Sequence, residues 1–364
     1  MNMHGGDVWQ VAEELGGTAS ELLDFSANIN PRGLPARALL RLARDAANPQ
    51  LLSFYPDPAA RNLRRALASR HRVPVESIVV GPGAEALLNP ILRYLRCRRL
   101  LSPVPAFSEY RRVCEQLNIH YVPFALHYAE QFRLHLESFC RRVEDEEFDA
   151  VLVNNPHNPS GAMLEAAEVR QLLAAVRASG AALLLDEAFI DYAERESLVR
   201  EAAAQPGLIV LRSLTKFYGC PALRVGYAVT HPDDAHHIAG LLPTWPVTQL
   251  ALDALTEALG DQAYAEETLR ANVANREQLV KALLSLELNV FPSAANYLLL
   301  ELKQHGMPNS SQLRMRLMQN HRVLIRDCNS YEGLTHGRFV RVAVRSEEDN
   351  ARLVQALAQE LRHS

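Results

Sequence analysis

Between about residue 76 and about residue 230 of the 364-residue chain, short apolar runs alternate with stretches whose apolar residues recur at helical spacing. That alternation leaves few architectures open. Strands joined through helices pair parallel, so the segment reads as βαβ units building an α/β fold with a mostly parallel sheet. The runs include Glu76–Val80, Phe148–Asn154 and Ala181–Asp186. After Pro243 and Pro246 the text changes, and from Val247 to about Leu288 it is almost continuously helical. Strand-like Asn296–Leu302, Val323–Arg326 and Phe339–Arg345 follow, then a last helix from Glu347. We therefore expect three parts: residues 1–45 as an N-terminal segment serving the active site and the small domain, 46–243 as a large domain, and 244–364 as linker helices plus a small α+β C-terminal domain.

Ligands of open α/β sheets bind at the C-terminal ends of the strands, so the residues there carry the chemistry. One run ends at Asp186, a carboxylate suited to keeping a pyridinium nitrogen protonated. Another runs into Asn155-Pro-His-Asn158-Pro-Ser-Gly161, where Asn158 offers a donor to a ligand oxygen. A third is followed by Gly81-Pro-Gly83-Ala84-Glu85 and a helical pattern, which leaves the N–H groups of Ala84 and Glu85 free for an anion. Lys216 lies in Ser213-Leu-Thr-Lys216, eight residues before Arg224. An amine so placed can hold an aldehyde as a Schiff base while Ser213 and Arg224 hold a phosphate. Each motif alone also fits a turn or a strand-end cap.

Charge and cysteines narrow the classes. A net charge of −4 and a pI near 6.4 predict no nucleic-acid or anionic-membrane face. Clusters such as Arg61-Asn-Leu-Arg-Arg and Arg96-Cys-Arg-Arg read as solvated helix faces, as does His236-His237. The five cysteines are odd in number and lack C-x-x-C spacing, and there is no H-E-x-x-H, so we expect neither disulfides nor a metal. No apolar run is long enough to span a bilayer and no signal-peptide pattern opens the chain, which predicts a cytoplasmic protein.

Together these motifs, in this order, resemble the fold-type-I pyridoxal-phosphate enzymes, the aspartate aminotransferase superfamily, over nearly the whole chain. The resemblance implies pyridoxal 5'-phosphate held covalently by Lys216, with Asp186 at its ring nitrogen and Asn158 at its phenolic oxygen. It implies Ser213, Arg224, Ala84 and Glu85 at the phosphate, and Phe107 on the ring face. Phe54-Tyr55-Pro-Asp-Pro resembles the segment whose tyrosine reaches the neighbouring subunit's cofactor, which implies a homodimer with shared active sites. Where many aminotransferases place a tyrosine three residues after the aspartate, this chain has Phe189. Arg341 stands where the family binds the substrate α-carboxylate. Arg326 is then free for a second anion, whereas Arg338 and Arg345 read as exposed strand positions.

Within the family, His4-Gly5-Gly6, Leu23 to Pro31, Asp186-Glu-Ala-Phe-Ile-Asp and Arg341-Val-Ala-Val-Arg-Ser resemble the threonine-phosphate decarboxylases of cobalamin biosynthesis more than the histidinol-phosphate aminotransferases. That resemblance implies a small phosphorylated amino acid as substrate, contacted by His4, Gly5, Asn28, Asn158, Arg326 and Arg341. The reaction implied is decarboxylation to (R)-1-amino-2-propanol phosphate. Transamination of histidinol phosphate is the alternative. A non-catalytic ligand sensor of this fold carries an added basic DNA-binding segment, for which we expect no room here.

Overall fold

The computed structural model describes residues 5–302, 307–334 and 336–362. Seven runs pair into one sheet: β1 (Ile78–Gly81), β2 (Arg99–Val104), β3 (His120–Ala125), β4 (Ala150–Asn154), β5 (Ala182–Asp186), β6 (Leu208–Ser213) and β7 (Gly226–Val229), in the order β1-β7-β6-β5-β4-β2-β3. Only β7 runs against its neighbours. The link from β6 to β7 is a hairpin-like connection in which Ser213 faces Gly226, and it carries Lys216. β4, β5 and β6 are buried along their whole length, as expected of strands covered on both faces. Their side chains alternate between two cores. Val151, Val153, Leu183 and Leu185 join one, and Leu152, Leu184 and Leu211 join the other.

Helices Gln249–Leu259 and Gln262–Ser285 lead to a four-stranded antiparallel sheet of β8 (Asn289–Val290), β9 (Tyr297–Glu301), β10 (Arg326–Asp327) and β11 (Phe339–Ala343), ordered β10-β11-β9-β8. The expected strand Val323–Arg326 divides in two. Val323–Leu324 pairs parallel with Leu23–Asp24, whereas Arg326–Asp327 pairs with β11. Arg345 also departs from expectation, because β11 ends at Ala343. It is half-buried, bonded to Asp349 at 3.0 Å and lying over the Phe25 ring. Arg338 is likewise ion-paired, with Glu301.

The N-terminal segment ties the two sheets together. Leu23 and Phe25 enter the core beneath the small sheet, while Asn30 donates its backbone N–H to Lys216 O at 3.1 Å and its amide to Phe217 O at 2.7 Å. A buried charge cluster lies under the strand ends. Arg212, on β6, meets Glu187 at 3.3 Å, Asp191 at 3.2 Å and Glu194 at 2.6 Å. His71 joins it through Glu194 Oε1, 3.5 Å from Nδ1, and its Nε2 bonds Tyr227 Oη at 2.7 Å. All five cysteines are buried and free.

Candidate active site

The C-terminal ends of β4, β5 and β6, the helix start at Ala84 and the small-sheet arginines close on one cavity of about 430 Å³. Its walls include Gly5, Asn28, Ala84, Glu85, Phe107, Asn158, Asp186, Ser213, Lys216, Arg224, Arg326 and Arg341, all singled out from sequence. His4 lies outside the described residues. Tyr55 does not line this cavity; it is 77% exposed and stacks on Trp245 at 4.2 Å.

Lys216 is half-buried and lines the cavity. Burial, reinforced by Arg224 and Arg341 and opposed by Asp186, pushes its pKa down to about 8. The shift raises the neutral fraction at neutral pH far above that of an ordinary lysine, to about a tenth, which suits a nucleophilic amine. Burial moves the Asp186 carboxyl in the opposite sense, upward. Tyr110 counters this by donating its hydroxyl to Asp186 Oδ2 at 2.5 Å, and Ala188 N–H donates to Oδ1 at 2.9 Å. Sequence reasoning missed Tyr110. It also missed Asn154, whose amide donates to Asp186 O and whose Oδ1 accepts from Asn158 N–H, each at 2.7 Å.

The carboxamide of Asn158 is oriented by its neighbours. Its Oδ1 accepts from Arg341 Nη1 at 2.5 Å and from Tyr331 Oη at 3.3 Å, so its NH₂ is left to donate elsewhere. Phe189 offers no hydroxyl and packs edge-on to Tyr297 at 4.9 Å.

The phosphate-sized end of the cavity is built from close approaches. Gly83 has φ +107, and a Cβ there would lie 2.9 Å from Arg224 Nη2. A Cβ on Gly226 would strike Ala84 N at 2.2 Å. No side chain caps the helix Ala84–Tyr94, so its first N–H groups are open to an anion beside the Arg224 guanidinium. The Glu85 carboxyl also reaches the cavity, and burial, with Glu109 close by, raises its pKa.

At the opposite end two more guanidinium groups are buried. Arg326 and Arg341 face each other directly across β10 and β11. Arg326 is 8% exposed and donates to Ser330 Oγ at 2.7 Å. Arg341 is 5% exposed and donates to Asn158, to Tyr331 Oη at 3.0 Å and to Ser26 O at 2.7 Å. Among the described residues no carboxylate lies within ion-pairing distance of Arg224, Arg326 or Arg341. The Oδ1 of Asn28 is buried without a partner among the described residues, and so is Arg341 Nε. Buried like charges on facing strand positions cost stability unless an anion sits between them.

The family model for aminotransferase class I and II matches residues 20–357. The chain belongs to that family. Pyridoxal phosphate is the family's cofactor, and the open helix start, Arg224, Asp186 and the low-pKa amine of Lys216 fit it. Among family members, the threonine-phosphate decarboxylase of Salmonella typhimurium is 35% identical over 97% of this chain and 95% of its own length. The adenosylcobalamin biosynthesis bifunctional protein CobDQ of Leptospira interrogans is 30% identical over 98% of this chain, which spans 40% of that longer protein. The solved histidinol-phosphate aminotransferase of Clostridium acetobutylicum superposes with a TM-score of 0.83 at 26% identity, covering 93% of this chain and 99% of its own.

Proposed function

We propose that this protein decarboxylates O-phospho-L-threonine to (R)-1-amino-2-propanol phosphate, in the cobalamin pathway of its relatives. The observation that carries the reading is the pair of facing, carboxylate-free guanidinium groups of Arg326 and Arg341 in a cavity that already has a separate anion end at Arg224. Two anionic groups on the substrate, besides the cofactor phosphate, match that count.

In this reading Lys216 holds the cofactor, Asp186 faces its ring nitrogen and the Asn158 NH₂ its phenolic oxygen. Ser213, Arg224 and the N–H groups of Ala84 and Glu85 take its phosphate, and Phe107 covers its face. When bound, pyridoxal phosphate supplies an electron sink for the pair freed at Cα. Arg341 binds the substrate carboxylate, and Arg326, with Gly5, Asn28 and His4, takes the substrate phosphate. A tight pair with Arg341 stabilises the very carboxylate that must leave, so the useful binding energy comes from the phosphate at Arg326. The bond from Cα to the carboxylate breaks, CO₂ departs, and Lys216 Nζ delivers a proton to Cα.

The site is shared between two subunits in this proposal, with Tyr55 entering the partner's cavity. Leu52, Phe54, Tyr55 and Trp245 are large apolar side chains left about half or more exposed, as a subunit interface requires. Mixing Lys216→Ala with Tyr55→Phe chains then restores part of the activity; additive, uncomplemented losses would exclude a shared site.

The test of function is an assay of the yellow, cofactor-loaded protein with O-phospho-L-threonine and no 2-oxo acid, following CO₂ and the amine product together. Stoichiometric release of both is expected. Turnover only with an added 2-oxo acid, without CO₂, overturns the proposal in favour of transamination; faster acceptor-dependent turnover of histidinol phosphate would then support the second reading, which rests on the likeness to the Clostridium structure.

A further inference from the structure

We propose that Tyr331 is the positioning residue that couples the two substrate anion sites, its hydroxyl setting Arg341 and its ring setting Arg326. The proposal rests on the reading of the cavity as a site for an amino acid bearing a second anion. Tyr331 follows the short turn Cys328–Ser330 beyond β10 and is 5% exposed, with its side chain on the cavity wall. Its Oη accepts from Arg341 Nη1 at 3.0 Å and donates to Asn158 Oδ1 at 3.3 Å. Its ring lies under the other guanidinium, with Arg326 Cζ 5.2 Å from the centroid. One side chain therefore touches both cations.

The chemistry of the contact matters. A carboxylate between the arginines would neutralise them and compete with substrate, whereas a phenol fixes their orientation and leaves both charges for a ligand. Ring contact holds the Arg326 plane by cation–π attraction. The hydroxyl completes a triangle with Arg341 and Asn158, so the carboxylate subsite is tied to a side chain that also faces the cofactor. Spacing between the two anions is then set by a rigid aromatic side chain.

The test is calorimetric binding to the cofactor-loaded enzyme of L-threonine, which has the carboxylate alone, O-phosphoethanolamine, which has the phosphate alone, and O-phospho-L-threonine. Tyr331→Phe should weaken L-threonine about tenfold, the loss of one hydrogen bond to a charged group, and leave O-phosphoethanolamine within about twofold. Tyr331→Leu should weaken both by about tenfold or more, since ring and hydroxyl are gone. Melting temperatures of the variants identify any general loss of folding. Equal effects of Tyr331→Phe on both probes, or none on either, overturn the coupling role, as does a Tyr331→Leu protein that binds O-phosphoethanolamine normally. A wild-type enzyme with no preference for O-phospho-L-threonine over L-threonine instead defeats the underlying functional reading and the Arg326 half of this proposal. The L-threonine arm then still decides the hold of Tyr331 on Arg341.

Discussion

In the proposed function Asp186 faces a ring nitrogen as an anion although burial favours its neutral form, and the hydroxyl of Tyr110 is what opposes burial most directly. Replacing Tyr110 by Phe removes that donor and raises the Asp186 pKa further. At ~1.5–3 kcal/mol for a hydrogen bond to a charged group, kcat/KM should fall roughly ten- to a hundredfold. The acidic limb of the pH profile, followed through cofactor absorbance, should also move upward; an unmoved limb would assign Tyr110 to packing alone. The residues lining the cavity were largely legible in the chain, because Lys216, Asp186, Asn158 and Arg224 sit in short motifs whose chemistry is local. Tyr110 and Tyr331 were not. Their partners lie 76 and 173 residues away, at Asp186 and Asn158, and no spacing rule announces such contacts.

Strand β7 shows the same boundary at the scale of elements. Alternating apolar runs predicted a mostly parallel sheet correctly, but periodicity carries no direction, so the reversal of β7 was invisible. Its consequence is local: Gly226 runs beneath Ala84 and brings the helix start against Arg224. Gly83→Ala should therefore combine backbone strain of ~1–3 kcal/mol with displacement of the guanidinium, weakening cofactor affinity about tenfold or more. Gly180→Ala is the matched control, with φ +79 but nothing within 4 Å of the added Cβ. It should lower stability alone, by ~1–2 kcal/mol, with cofactor affinity unchanged. Fluorescence titration of the cofactor-free proteins separates the two outcomes.

For the molecule as a whole, the Arg212 cluster links β6, β7 and the chain after β5 beneath the site. Arg212→Met should cost ~3–5 kcal/mol in denaturant unfolding, because buried Glu187 would lose its cation and buried Asp191 would keep only Arg70, at 3.8 Å. Burial raises Glu187 from its ordinary 4.5 to about 7, against the pull of Arg212. The folded state thus holds more protons than the unfolded one between those values, so this group's contribution falls as pH rises from 4.5 to 7. Glu187→Gln should flatten that part of the stability–pH curve; an unchanged slope would place the proton elsewhere. The pairing of Leu23–Asp24 with Val323–Leu324 bears on biosynthesis. During translation the early strand waits for a partner made about three hundred residues later. Lys216 and the strand ends around it emerge long before Arg326 and Arg341, so a nascent chain can assemble the proposed cofactor end before the proposed substrate end exists. Closure of that N-terminal strand waits for residue 323, and a ribosome stalled short of it would display Lys216, the proposed aldehyde-binding amine, with neither Arg326 nor Arg341 to choose what it reacts with.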